Sequence, residues 1–299
     1  MRQLPTLKQL RYLCVLAQEE HFGRAAEKCF VTQSTLSAGI AELELVLGSP
    51  LAERTKRSVM LTPLGLEIAR RAQKLLRETE DLIELAAAQR NPLSGDFRLG
   101  VIPTIGPYLL PRILPELHNA YPDLKLFLKE DQTERLLAQL RSGKLDAVLL
   151  ALPYEMDGMN TRVLARDSFS FACPINHKLA GKKSVSNDEI ADTPLLLLEE
   201  GHCLRDHALA ACHLESRGKQ ASFEATSLQT LVQMVASGLG QTLLPQLALD
   251  AKLTAGLDMA VIPLTDKNAT RQIGLAWRAT SPRHEDMQLL GDVIEDVLA

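Results

Sequence analysis

The chain has 299 residues, 46% of them hydrophobic and 23% charged, with a formal net charge of −4. That is a globular composition, long for a single core, and it excludes a disordered chain. No apolar run reaches the roughly 18 to 20 residues of a membrane span, and no basic region with an apolar core behind it opens the sequence, so a soluble, cytoplasmic protein is expected. The charge is uneven: residues 1–90 hold 13 Lys/Arg against 11 Asp/Glu and the remainder 20 against 26, which makes the N-terminal part the candidate nucleic-acid end.

An amphipathic helix is expected over residues 6–18, where Leu7, Leu10, Leu13, Val15 and Leu16 recur at helical spacing. A second helix, His21 to Cys29, offers Ala25 and Ala26 as a close-packing face, and a third starts at Gln33 with Thr32 as N-cap. Two helices joined by a tight turn form a helix-turn-helix. The first turn of the third carries Gln33, Ser34, Thr35 and Ser37, side chains of the kind that read base edges in a major groove. Residues 33–47 contain no Lys or Arg, so phosphate anchoring must come from Arg24 and from Arg54, Lys56 and Arg57 on a two-stranded wing over Leu51 to Thr62. These parts make residues 1–62 a winged helix-turn-helix DNA-binding domain. Thr62-Pro63 then opens a helix running to about Arg90. Along it Ile68, Ala72, Leu75, Thr79, Leu82 and Ala86 keep a four-three spacing, the seam of a dimerising linker helix over residues 63–90. Residues 91–95, with Pro92 and Gly95, are the hinge.

Beyond the hinge, strands alternate with helices. Strands are expected at Phe97 to Ile102, Leu124 to Leu128 and Leu145 to Leu150, and helices at about Tyr108 to Asn119 and Thr133 to Ser142, which implies a parallel α/β sheet. A second set has strands at Phe169 to Cys173, Leu195 to Leu198, Ser222 to Ala225 and Thr242 to Leu244, with helices near Leu204 to Leu214 and Ser227 to Ser237. Arg271 to Trp277 returns as a strand, and Arg283 to Leu298 as a closing helix. The simplest architecture is an effector region of two Rossmann-like α/β lobes, residues 96–166 plus 267–299 and residues 167–266, with a ligand cleft between them. In that cleft the turn from Val101 to Tyr108 offers free amides and the Thr104 hydroxyl to a small polar or anionic ligand.

Two of the five cysteines, Cys203 and Cys212, share one short segment that follows the apolar run Leu195 to Leu198. Gly201 marks a turn, which puts Cys203 at or next to a helix N-terminus, among His202, Arg205 and His207. An unbroken helix would hold the two sulfurs roughly 13.5 Å apart along its axis and on opposite faces, so a disulfide between them requires the helix to unwind. Two unrelated core thiols remain the alternative. The surroundings favour Cys203 as the attacking thiol and Cys212, among Ala210, Ala211 and Leu214, as a shielded partner. The odd number of cysteines argues against an extracellular disulfide scaffold, and Cys14, Cys29 and Cys173 are expected only to pack.

The order of these parts resembles the LysR-type transcriptional regulators over essentially the whole chain; Thr32 to Glu42 and Leu61 to Gly65 look like that family's DNA-binding signature. Val101 to Pro111, Leu140 to Asp146 and above all Gly201 to Asp206 with Cys212 are similar to its OxyR branch, the bacterial peroxide sensors. One departure is Ser34, which stands where the family commonly has proline. The resemblance implies a homotetrameric, promoter-binding activator of oxidative-stress genes, a dimer of dimers with a periplasmic-binding-protein-like effector region, that works with RNA polymerase. It implies hydrogen peroxide as effector, no cofactor and no metal. It also implies Cys203 as the peroxidatic thiol and Cys212 as the resolving one, with Thr104, Thr133, His202, Asp206 and Arg271 around the peroxide. On this reading the protein is no enzyme: Cys203 becomes a sulfenic acid, condenses with Cys212 and is reset by a thiol reductant. Three other readings stay open: a LysR-type regulator sensing a metabolite in the cleft, a thiol peroxidase, and a solute-binding protein that fits residues 93–299 alone.

Overall fold

The computed structural model describes residues 3–54, 59–88, 92–191, 195–211 and 220–299. They fall into two compact units, Met1–Ala87 and Ala88–Ala299.

In the first unit every helix starts where a side chain can satisfy its free amides. α1 (Leu7–Glu19) opens on a capping box, Thr6 accepting from the Gln9 amide and the Gln9 side chain accepting from the Thr6 amide. α2 (Phe22–Lys28) begins at His21, whose Nδ1 accepts from the amides of Gly23 and Arg24, and α3 (Gln33–Leu47) begins at Thr32, whose hydroxyl accepts from the Thr35 amide. Leu13, Leu16, Ala25, Leu36 and Leu43 fill the space between the three helices with no exposure. β1 (Ala52–Arg54) pairs antiparallel with β2 (Val59–Leu61), and α4 (Pro63–Ala88) follows, the Thr62 hydroxyl accepting from the Gly65 amide at 2.9 Å. The three-helix motif, the wing and the long helix stand where the sequence places them; Lys56 and Arg57 lie outside the described residues.

The second unit is built from β3 (Gly95–Val101), α5 (Gly106–Ala120), β4 (Leu124–Glu130), α6 (Thr133–Arg141), β5 (Ala147–Leu152), β6 (Met159–Pro174), α7 (Asn187–Ile190), β7 (Leu195–Leu198), α8 (Cys203–Ala211), β8 (Gln220–Ala225), α9 (Leu228–Ala236), β9 (Thr242–Pro245), α10 (Gln246–Asp250), β10 (Met259–Pro263), β11 (Thr270–Arg278) and α11 (His284–Leu298). The main sheet has the order β10-β6-β11-β5-β3-β4, with β9 also on β6, while β7 and β8 form a separate parallel pair.

The expected parallel sheet is therefore mixed. β3 is parallel to β4 and β5, but β11 runs antiparallel to β5 and β6, and β9 and β10 run antiparallel to β6. The reason is that β11 returns from the distant C-terminal part of the chain rather than by a helical crossover, and only helical crossovers force neighbouring strands to be parallel. β6 is also far longer than its expected core, spanning 16 residues. Its first part lies against β11 and, from about Phe169, its second part lies against β9 and β10. Strand β10, short and only partly buried, was not expected; its signal is the run Met259 to Ile262.

A Cβ on Gly65 would lie 2.0 Å from the Leu51 carbonyl oxygen, which is itself fixed by the Thr62 amide at 2.9 Å. Gly65→Ala should therefore cost the first unit about 1–3 kcal/mol, the usual range for overpacking, seen as a lower thermal midpoint. Gly181→Ala, where a Cβ meets nothing within 4 Å, is the control and should leave the protein unchanged.

Candidate functional site

Strand β7 is buried at all four positions, and the chain must turn sharply to leave it. Gly201 makes that turn at φ +94°, with the Gln132 side chain only 2.9 Å from where a Cβ would stand. Cys203 thereby becomes the first residue of α8, beside the free amides and positive dipole end that favour a thiolate. It is a free thiol and 7% exposed.

Burial alone pushes the Cys203 thiol up. Polar interactions with the side chains of His207 and Thr133, and the charges of Arg271 and His207, outweigh burial and hold the thiol below its ordinary value. His207 follows Cys203 by one helical turn on the same face of α8. Its Nε2 donates to the Pro153 carbonyl at 3.0 Å, while its Nδ1 is buried and makes no well-formed hydrogen bond. Thr133, the first residue of α6, is placed likewise: its Oγ1 is buried without a well-formed partner. Both atoms act on the sulfur from positions short of full hydrogen-bond geometry. Burial disfavours a charged His207, but Cys203 more than compensates and the imidazole sits above its ordinary value. The two shifts favour the charged form of each group, a thiolate beside an imidazolium.

Arg271 supplies the longer-range charge. Among the fully buried side chains it is a large one, reaching from β11 to β6 and to the turn before α5. Its Nε donates to Asp167 Oδ2 on β6 at 2.9 Å, Nη1 to Thr104 Oγ1 at 2.8 Å and Nη2 to the Thr104 carbonyl at 2.9 Å. The other Asp167 oxygen accepts from the Leu247 amide at 2.9 Å, in the first turn of α10. The Thr104 hydroxyl expected to face a ligand is thus an acceptor for Arg271, which leaves its proton and one lone pair for other partners. On the outer side of Cys203 an open pocket of about 760 Å³ is lined by Glu134, Arg141, Tyr154, Asp206 and His207, with the sulfur residue itself at its wall.

Of the residues singled out in the sequence, Thr133 and Arg271 bear directly on the sulfur and Thr104 bears on it through Arg271. His202 is buried with its ring 3.8 Å from Glu199, and burial keeps it below the ordinary histidine value. Asp206 is exposed at the pocket rim, and Arg205 donates back to the Leu198 carbonyl at 3.3 Å. Cys212 lies outside the described residues. His207 was counted in the sequence only as a neighbour of Cys203, although the one-turn spacing between them signals the pairing. Asp167 carried no signal, since its partner lies 104 residues away. Cys14 donates to the Ala69 carbonyl, and burial pushes its thiol to about 11; burial also raises Cys29 and Cys173, as expected of packing thiols.

On the first unit, Gln33, Ser34 and Thr35 are exposed in the opening turn of α3 and Ser37 is half-buried. The hydroxyls of Ser34 and Thr35 lie 2.9 and 2.8 Å from that of Thr32. Arg24 is exposed on α2 and pairs with Glu19 at 3.4 Å; Arg54 closes β1.

Residues 7–66 match the bacterial regulatory helix-turn-helix protein of the lysR family, and residues 90–299 match the LysR substrate binding domain. The chain belongs to the LysR family of transcriptional regulators. Over 299 residues it is 40% identical to the HTH-type transcriptional regulator EstR of Acinetobacter baylyi, covering 100% of this chain and 99% of that one. It is 42% identical to the DNA-binding transcriptional dual regulator OxyR of Escherichia coli over 96% of this chain and 94% of that one. A solved full-length OxyR variant of Pseudomonas aeruginosa superposes with a TM-score of 0.79 at 41% identity, covering 98% of this chain and 95% of that one. A peroxide-bound cysteine-to-serine mutant of Corynebacterium glutamicum OxyR gives 0.67 at 35% identity, over 100% and 94%.

Asp167→Ala would leave the Arg271 charge buried without its counter-charge. Such a change should cost about 3–5 kcal/mol in chemical denaturation, and pairing it with Arg271→Met should recover much of the loss, because the penalty belongs to the stranded charge.

Proposed function

We propose that this LysR-family chain is a peroxide-sensing regulator that binds promoter DNA and switches when Cys203 is oxidised and joined to Cys212, activating oxidative-stress genes. One observation carries the reading: a buried thiol at a helix N-terminus, its pKa lowered despite burial, faces the Thr133 hydroxyl, which lacks a well-formed protein partner. A core thiol that merely packs has its proton retained by burial, as Cys14 does. Here the environment spends polar groups on the opposite effect, which serves a nucleophile. The Thr133 hydroxyl, close to the sulfur but short of a well-formed bond to it, can hold a small polar molecule there, and a peroxide is such a molecule.

The DNA contacts fall to Gln33, Ser34, Thr35 and Ser37 for sequence, and to Arg24, Arg54, Lys56 and Arg57 for the phosphates. The first unit also suits self-association. Its α1 and α4 line an apolar groove in which Leu4, Leu75 and Leu82 are 76%, 50% and 65% exposed, and the expected seam residues Ile68, Ala72 and Thr79 lie in the same groove. A second copy covering it makes a dimer, and two dimers make the homotetramer. Thr104, Thr133, Asp206 and Arg271 then form the peroxide site, with His202 behind it; RNA polymerase is the downstream partner and a cellular thiol reductant resets the switch. The setting is cytoplasmic.

A second reading has one observation behind it. The 760 Å³ pocket beside Cys203 is larger than a peroxide needs, and the similarity to EstR extends over the whole chain. A metabolite-sensing regulator would use that space.

Peroxide-treated protein, digested without reductant, should yield a peptide linked through Cys203 and Cys212. Cys203→Ser should abolish both the link and the peroxide-dependent change in DNA footprint. A footprint that still responds to peroxide in that variant removes Cys203 from the sensor role; one that responds to a small organic acid and not to peroxide supports the metabolite reading.

A further inference from the structure

Resting on the peroxide-sensing reading, we infer that His207 is the acid-base partner of Cys203: it takes the thiol proton in the resting state and returns it to the leaving oxygen when the sulfur attacks. The geometry fixes which nitrogen does this. A carbonyl oxygen only accepts, so the 3.0 Å contact to Pro153 requires a proton on Nε2. Titration is then confined to Nδ1, which is buried without a well-formed bond of its own, on a side chain that interacts with that of Cys203. The Pro153 contact sets the ring's orientation as the carbonyl or carboxylate behind a working histidine does elsewhere. One helical turn between Cys203 and His207 keeps ring and sulfur on one face, and both line the same pocket, which gives a small oxidant access to them together.

The step balances within the pair. The thiol gives its proton to Nδ1, leaving a thiolate and an imidazolium. The thiolate then attacks one oxygen of hydrogen peroxide; the S–O bond forms as the O–O bond breaks, sulfur is oxidised by two electrons, and the departing oxygen takes the Nδ1 proton and leaves as water. The products are a sulfenic acid and a neutral imidazole. His202 does not stand in this position, since its ring is directed to Glu199.

The groups around His207 set the balance. Cys203 and Asp206 share its helix; Glu134 and Arg141 face it from α6; Tyr154 and Glu155 follow Pro153; Arg271 comes from β11. Arg271 opposes protonation of His207 while favouring ionisation of Cys203, whereas the thiolate itself and the Pro153 carbonyl favour the imidazolium. The direction is consistent on both sides: the thiol lies below and the imidazole above its ordinary value, each shift favouring the charged pair, and the two apparent values belong to the pair.

The test uses the full-length chain carrying Cys212→Ser, so that neither the disulfide nor DNA binding enters, and compares it with the same chain carrying His207→Gln. Two rates at Cys203 are followed against pH by mass spectrometry of its peptide. Alkylation by iodoacetamide needs only the thiolate. Sulfenic acid formation with hydrogen peroxide, trapped by dimedone, needs the thiolate and the returned proton. With His207 present, alkylation should rise once and stay high, while the peroxide rate should rise and then fall at alkaline pH as the imidazolium is lost. With His207→Gln, alkylation should move to higher pH, the alkaline fall should vanish, and the peroxide rate at pH 7 should drop by about tenfold or more. Unchanged thermal midpoints confirm that the variant is folded; His207→Asn is the substitute if it is not. Superimposable alkylation profiles overturn the pairing, and a peroxide profile with no alkaline fall in the presence of His207 overturns the proton return. Failure of the functional reading looks different: the alkylation shift persists while the chain with both cysteines forms no linked peptide.

Discussion

The buried contact between Arg271 and Asp167 sets the terms for the rest of the effector unit. Bringing a guanidinium and a carboxylate into an apolar interior is unfavourable unless their polar atoms find partners, and here each nitrogen of the guanidinium and each oxygen of the carboxylate has one, through Thr104 and the Leu247 amide as well as each other. The result is a knot that ties β11, β6, the turn before α5 and the start of α10 to one point. It has a second consequence. A fixed positive charge that cannot leave acts continuously on the nearby sulfur, so the reactivity of Cys203 depends on the folded core as well as on the short segment that carries it and His207.

That division explains what could be read from the sequence. Local patterns were sufficient for α1, α2, α3 and α4, because capping residues such as Thr6, Thr32 and Thr62 act within one turn of where they stand. Helices α5, α6, α9 and α11 and most of the buried strands were legible for the same reason: their apolar periodicities are local. The sheet's mixed direction was not, since it depends on β11 returning between β5 and β6 from far along the chain. Short pieces such as β10, α7 and α10 carry too few residues for a period to show.

The candidate site divides along the same line. Cys203 was visible through its flanking residues and the turn at Gly201. Its partner His207 was in plain view one turn away, yet proximity in sequence drew equal attention to His202 and Arg205, which the helix directs elsewhere. Asp167 could not be found at all, being an acid in the middle of a strand whose meaning comes only from Arg271.

The strand β6 bears on how a chemical event at Cys203 could be transmitted. Its 16 residues form one strand, with a register shift at Leu164, through the part paired to β11 and the part paired to β9 and β10. Two lobes strung on a loose linker can close like jaws, and the ligand does the closing. Two lobes that share a continuous hydrogen-bonded spine, pinned again at Arg271, are stiff against that motion. Chemistry at Cys203 therefore acts first on α8 at the pocket rim, with the body of this unit as the anvil behind it.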